Sequence, residues 1–270
     1  MLTLGPSGRA CYKTRRRERF FHAYPHTLTV SSKTNEQRRK FLRGSAAVIP
    51  VVSLGGTVMR SAFADTPSAP PLDQYTPAFF TAPEWAFVKA ACDRLIPASS
   101  DGPGALETNV PVFIDLELHG GYGAGEDWYM EGPFNVHADA TFGYQLPYTP
   151  SELYRRGIAV TEKYCQQTFQ KSFEALDEKT RDQVLTDLQK KTIDFAAFGE
   201  TQMTSANFFS FLLQNTKEGY LSDPTHGGNR DMGSWKMIGF PGARASYTEW
   251  VDQHNVKYPL GPVDLAGRRG

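Results

Sequence analysis

Two segments of the sequence share one piece of helix-starting chemistry, and together they restrict the fold more than any other feature. Thr81-Ala82-Pro83-Glu84 and Thr149-Pro150-Ser151-Glu152 each place a threonine three residues ahead of a glutamate, with proline in the first turn. At that spacing the threonine hydroxyl and the glutamate carboxylate satisfy backbone N–H groups that a helix start leaves bare. After the first box, Trp85, Val88, Cys92 and Leu95 recur at helical spacing until Pro97 stops the pattern. After the second, Tyr154, Ile158, Thr161, Cys165 and Phe169 share one face of a helix predicted to reach about Gln170.

Two more caps extend the pattern. Asp177 starts a helix with Val184, Leu185 and Leu188 inward, and Thr204 starts one with Phe208, Phe209, Leu212 and Leu213 as its stripe. Gly219 is the expected end of the latter. A shorter helix is predicted over Val110–Leu118, stopping at Gly120-Gly121. Residues 120–148 read as a long ordered loop region, and a short helix is expected near Tyr247–Gln253. No run alternates as strands do and no internal repeat occurs. The expected fold is mainly α: a single irregular helical domain over residues 65–270 with long Gly/Pro-rich loops.

Charge divides the chain unevenly. Residues 1–64 hold 12 of the 29 Lys and Arg but only Glu18 and Glu36 among acids. Residues 65–270 carry 17 basic and 27 acidic side chains, a net of −10, which repels nucleic acid and anionic headgroups. The basic excess belongs to an export signal. Arg38-Arg39-Lys40-Phe41-Leu42 has the paired arginines and Phe-Leu of a twin-arginine leader, and an apolar run from Gly44 to Val58 follows. Ala62-Phe63-Ala64 supplies a small-x-small cleavage site, making Asp65 the first mature residue. The apolar run, broken by Pro50, would reach about 22 Å as a helix, short of the roughly 30 Å of a hydrocarbon core. Residues 1–34 precede a leader of ordinary length, and the expected start is Val30, read from a GTG codon. Residues 65–74, rich in Pro and Ala, read as a tether.

Several chemistries lack their motif. There is no C-x-x-C-H, no G-x-S-x-G and no P-loop, and Gly120–Gly125 misses the dinucleotide-binding spacing. Cys92 and Cys165 lie on apolar helix faces, where they either form a disulfide in an oxidising compartment or stay as buried thiols. Asp223, His226 and Asp231, with His119 or His137, make a candidate metal constellation, but none has the usual ligand spacing, and the expected reading is no metal, with loop histidines that hydrogen-bond at the surface. The most distinctive stretch is Asp223–Gly242, which mixes glycines with Arg230, Trp235 and Phe240. Arg and Trp are frequent anchors of protein interfaces, so Gly227, Gly228, Asn229, Arg230, Trp235 and Lys236 form a candidate partner surface. The alternative is a well-packed structural loop whose Trp235 covers the core.

The leader, Leu95-Ile96-Pro97 with Pro103-Gly104-Ala105, Thr149-Pro150-Ser151-Glu152-Leu153-Tyr154-Arg155 and the Gly227–Gly242 segment together resemble the small subunit (subunit 3, or gamma) of bacterial gluconate 2-dehydrogenase. The resemblance covers residues 37–250. It implies a membrane-associated complex with an FAD-containing large subunit of the glucose–methanol–choline type and a multihaem cytochrome c subunit. It implies no cofactor and no catalytic residue in this chain, FAD and haem c belonging to the partners. It also implies a periplasmic place at the outer face of the inner membrane, and a leader that engages the Tat translocase on behalf of the large subunit. Related complexes oxidise fructose, sorbitol, 2-ketogluconate or glucose. The competing expectation is an independent periplasmic enzyme or ligand-binding protein whose site is the 219–242 loop.

Overall fold

The computed structural model describes residues 69–244, 246–256 and 258–270. The leader residues Arg38, Arg39, Phe41 and Leu42, the cleavage residues Ala62, Ala64 and Asp65, and the first part of the expected tether lie outside the described residues.

Both threonine boxes start helices. Helix α1 runs Ala82–Leu95, with Thr81 as its cap and Glu84 returning the bond. Further along come α2, Val110–His119, and a one-turn α3, Gly121–Ala124. Helix α4, Pro150–Phe169, has its Thr149–Glu152 box formed in both directions. Helix α5, Glu178–Gln189, is capped by Asp177, whose carboxylate accepts from Thr180 N. Helix α6, Ser205–Leu221, is capped by Thr204, and α7 is the short Gly233–Ile238. Among the described residues these seven helices are accompanied by single 3-10 turns and isolated bridges, with no strand.

Helix α6 is the centre of the packing and touches α1, α2, α4, α5 and α7. Its Phe208 and Leu212 are fully buried, and Phe208 meets Phe87 of α1 and Tyr154 of α4 at ring-centroid distances of 6.1 and 5.8 Å. The helix does not end at Gly219. That residue lies inside it because a Cβ there would stand 2.8 Å from the Phe113 ring of α2. The glycine serves helix contact rather than termination. The helix expected near Tyr247–Gln253 is only a 3-10 turn, Thr248–Trp250.

From residue 69 onward the expected tether is docked rather than free. Pro70 O accepts from Asn109 Nδ2 at 2.9 Å. Leu72 and Tyr75 pack against the core. The anchor is Asp115, fully buried on α2. Its Oδ2 accepts from Tyr75 Oη and Ala78 N, both at 2.7 Å, and its Oδ1 from Phe79 N at 3.1 Å and Phe80 N at 2.9 Å. Four donors converge on one carboxylate. Arg155 of α4 closes the same corner: it bonds Glu84, donates to Phe79 O at 2.6 Å and stacks over the Phe79 ring at 4.1 Å.

Cys92 and Cys165 are free, fully buried thiols in the structure, not a disulfide. Cys92 Sγ instead faces Thr216 Oγ1 of α6 at 3.6 Å. Burial pushes both thiols up to about 12, so the reactive thiolate is scarce at neutral pH. A thiol reagent at pH 8 is expected to label neither Cys92 nor Cys165 in the folded chain and both in denaturant. Rapid labelling of the native protein would contradict this burial.

Candidate functional site

The glycine-rich segment first solves a problem of the chain's own making. A helix leaves its last four carbonyls without intrahelical partners. Around the end of α6, four consecutive carbonyls receive side chains from the residues that follow. Gly219 O accepts from Ser222 Oγ at 3.1 Å, Tyr220 O from Ser234 Oγ at 2.5 Å, Leu221 O from Trp235 Nε1 at 2.9 Å, and Ser222 O from Asn229 Nδ2 at 2.9 Å. Asn229 also holds the far side of the turn. Its Oδ1 accepts from Ser234 N at 3.0 Å and lies 2.7 Å from Ser234 Oγ, whose single proton can serve only one oxygen at a time.

This return path needs unusual backbone. Asn229, Asp231 and Met232 all have positive φ, at 41°, 56° and 54°. Asn and Asp tolerate that region, whereas for Met it is a real strain, on the order of 1–2 kcal/mol. The buried Met232 side chain and the Arg230 N bond to Thr108 O at 3.1 Å hold the turn in place. Gly228 passes so close to α6 that a Cβ would sit 2.3 Å from Gly219 O. Only glycine fits there.

The six candidate surface residues therefore divide. Gly227, Gly228 and Asn229 are buried in the turn, and Trp235 is only 6% exposed, stacked edge-on against Phe240 at 5.0 Å. These residues pack the chain itself, and Trp235 covers the core. Arg230 and Lys236 remain outside. Arg230 looks over a cleft of 450 Å³ bounded by Pro71–Asp73, Lys89 of α1, Leu106, Glu107 and Asn109. The nearest acid to its guanidinium is its neighbour Asp231, at 3.7 Å.

The candidate metal ligands are not brought together. Asp223 Oδ1 caps a turn through Thr225 N and Oγ1 at 3.0 and 2.8 Å, and its Oδ2 accepts from Leu265 N at 2.8 Å. His119, His137 and His226 are exposed. Among the described residues no group of three or more His, Cys, Asp or Glu is placed to hold a metal ion, and no helix is long and apolar enough to cross a membrane.

Two surfaces escaped the sequence reading. Of the twelve large hydrophobic side chains that stand exposed among the described residues, eight lie between Met237 and Leu265. A groove of 270 Å³ joins part of this run, with Trp235–Pro241 on one wall and Tyr258–Pro262 on the other. The second is a cleft of 450 Å³ within residues 127–145, walled by aromatic rings. Trp128 packs edge-on against Tyr144 at 4.7 Å, and both rest on Phe211 of α6 at 6.0 and 5.7 Å. The Tyr144 hydroxyl, pushed up chiefly by burial, donates to Tyr148 O at 2.5 Å. Clustered Gly, Pro and aromatics in 120–148 were the available signal, but nothing in their spacing indicated a cleft.

Such a body, helical inside and apolar over parts of its outside, has the character of a protein built to sit against another chain. The family model described as gluconate 2-dehydrogenase subunit 3 matches residues 82–242, more than half of the chain. The chain belongs to that family. Searches of curated proteins and of solved structures found no match to it. The match opens inside the first threonine box and closes at the end of the glycine-rich segment.

Proposed function

We propose that this chain is the non-catalytic small subunit of an FAD-dependent sugar or sugar-acid dehydrogenase complex, and that it stabilises the flavoprotein subunit and escorts it through the twin-arginine pathway. The observation that carries this reading is membership of a family defined as a subunit of gluconate 2-dehydrogenase. The leader motif at Arg38-Arg39 supports the escort role, because flavin is loaded in the cytoplasm and a loaded partner must cross the membrane folded. In this reading FAD sits in the large subunit and haem c in a cytochrome subunit. The complex works in the periplasm, held to the inner membrane through its partners.

Of the six candidate surface residues, Arg230 and Lys236 are the two open to such a partner. Replacing a true interface arginine costs about 2 kcal/mol, roughly thirtyfold in affinity. Arg230→Ala is therefore expected to lose the large subunit during co-purification while the melt of the isolated chain is unchanged. Trp235→Ala is expected to show the opposite priority, a melt lowered by about 3 kcal/mol of lost core packing. A complex retained at full strength by Arg230→Ala would remove this residue from the interface.

A further inference from the structure

Resting on the reading of this chain as a subunit, we propose that the aromatic cleft in residues 127–145 seats an arginine side chain presented by another subunit of its complex. The walls come first. Trp128, Tyr129, Phe134, Phe142 and Tyr144 line the cleft, with Asp127 as the charged residue among its lining. Tyr129 is 74% exposed and Phe142 72%. A buried aromatic side chain removes about 150–250 Å² from water, and these two give up most of that gain.

Three of the rings are held, together with the backbone at Phe142. Trp128 and Tyr144 are wedged on α6, the Tyr129 hydroxyl donates to Gly132 O at 3.2 Å, and Gln145 Nε2 donates to Phe142 O at 3.3 Å. The hydroxyls of Tyr129 and Tyr144 and the amide of Gln145 are spent on the loop's own backbone carbonyls. What the cleft offers an occupant is ring faces.

Charge selects the occupant. Residues 120–148 contain Glu126, Asp127, Glu131 and Asp139 and not one Lys or Arg. The segment that forms the cleft is therefore acidic, with Asp127 on its wall, which disfavours carboxylates and phosphates, including any sugar acid. A second copy of this chain is also a poor fit, since residues 65–270 carry a net −10. A cation suits both features. Ring faces attract it through their quadrupoles, and a guanidinium stacks flat while its N–H fork meets a carboxylate such as Asp127. Arginine is also enriched at the centres of protein interfaces. The pattern is complementary to Arg230 on the other cleft: there this chain presents the cation, and here it receives one.

The test uses the chain co-expressed with the other subunits of its complex, with partner retention followed across a sodium chloride series. Wild type is expected to release its partner progressively as salt rises. The double variant Asp127→Asn/Phe142→Ala removes one charge and one exposed ring. It is expected to bind about tenfold more weakly, with a flatter salt dependence. Both side chains are exposed, so the melt of the isolated chain should not move, and Phe142→Trp should restore retention. Equal retention and equal salt dependence in the double variant would overturn the proposal. So would tight binding of tetramethylammonium to the isolated chain, seen by tryptophan fluorescence, with retention indifferent to the variant, because that marks a small-cation site. If wild type retains no subunit at any salt concentration, the subunit reading itself fails, and the proposal with it.

Discussion

Asp115→Ala should lower the stability of the folded chain by about 4 kcal/mol. The carboxylate accepts four hydrogen bonds from residues 75–80. Its removal leaves three backbone N–H groups and one phenol without their acceptor. Each buried unsatisfied donor costs about 1–3 kcal/mol, and the lower end applies because several of these groups are only partly buried and water can reach them. For a domain of this size that corresponds to a fall of roughly 8–16 °C in the melting midpoint. Asp115→Asn keeps the shape but turns an amide N–H toward other donors, so it should fall between alanine and wild type. Thermal melts measure the loss, and limited proteolysis within residues 69–80 shows whether the segment has come free. A melt within a degree of wild type for the alanine variant would mean that the segment does not need its anchor. The Tyr75 bond adds a pH signature. Burial, then the bond to Asp115, raise its hydroxyl above the ordinary value near 10. Its contribution is therefore complete below pH 10 and lost only as pH rises beyond that.

The second large effect concerns export. Replacing Arg38-Arg39 with Lys-Lys should hold nearly all of the protein in the cytoplasm as uncleaved precursor, together with any subunit that travels with it. Lysine keeps the charge, but it lacks the planar fork with which arginine recognises carboxylates bidentately. A receptor that reads the arginine pair therefore loses its ligand, whereas a pathway that responds to basic charge alone does not. Cell fractionation and sequencing of the mature N-terminus check this. Unchanged periplasmic levels, or an N-terminus far from Asp65, would refute the assigned leader.

The helix starts were legible because their chemistry is local. A cap and its partner lie three residues apart, so Thr81, Thr149, Asp177 and Thr204 announced four helices without reference to the rest of the fold. Helix α7 was hidden because its six residues lie in a glycine-rich stretch that reads as loop. Gly219 misled for a related reason. A glycine near a helix end means either a cap or close packing, and the choice depends on Phe113, about a hundred positions away in sequence. Asp115 left only the faint trace of one acid within the apolar run Val110-Pro111-Val112-Phe113-Ile114 and Leu116. What that acid held could not be read, since three of its four partners are backbone groups. The candidate surface was half legible: the interface composition of residues 227–236 was visible, but tryptophan serves a core and an interface equally well, and only burial separates the two.

The capping of α6 by residues 222–235 also bears on when the protein becomes ready to move. A ribosome delivers the proposed leader first and those residues near the end. Until Asn229, Ser234 and Trp235 have emerged, the carbonyls of Tyr220, Leu221 and Ser222 at the close of the central helix lack these side-chain partners. With the proposed leader, an address at the front of the chain is thus available long before the cargo behind it can close. For a route that accepts folded proteins, this order makes nearly complete synthesis a condition of departure. A chain truncated between residues 222 and 235 would keep the proposed leader and yet present a body missing the cap of its central helix.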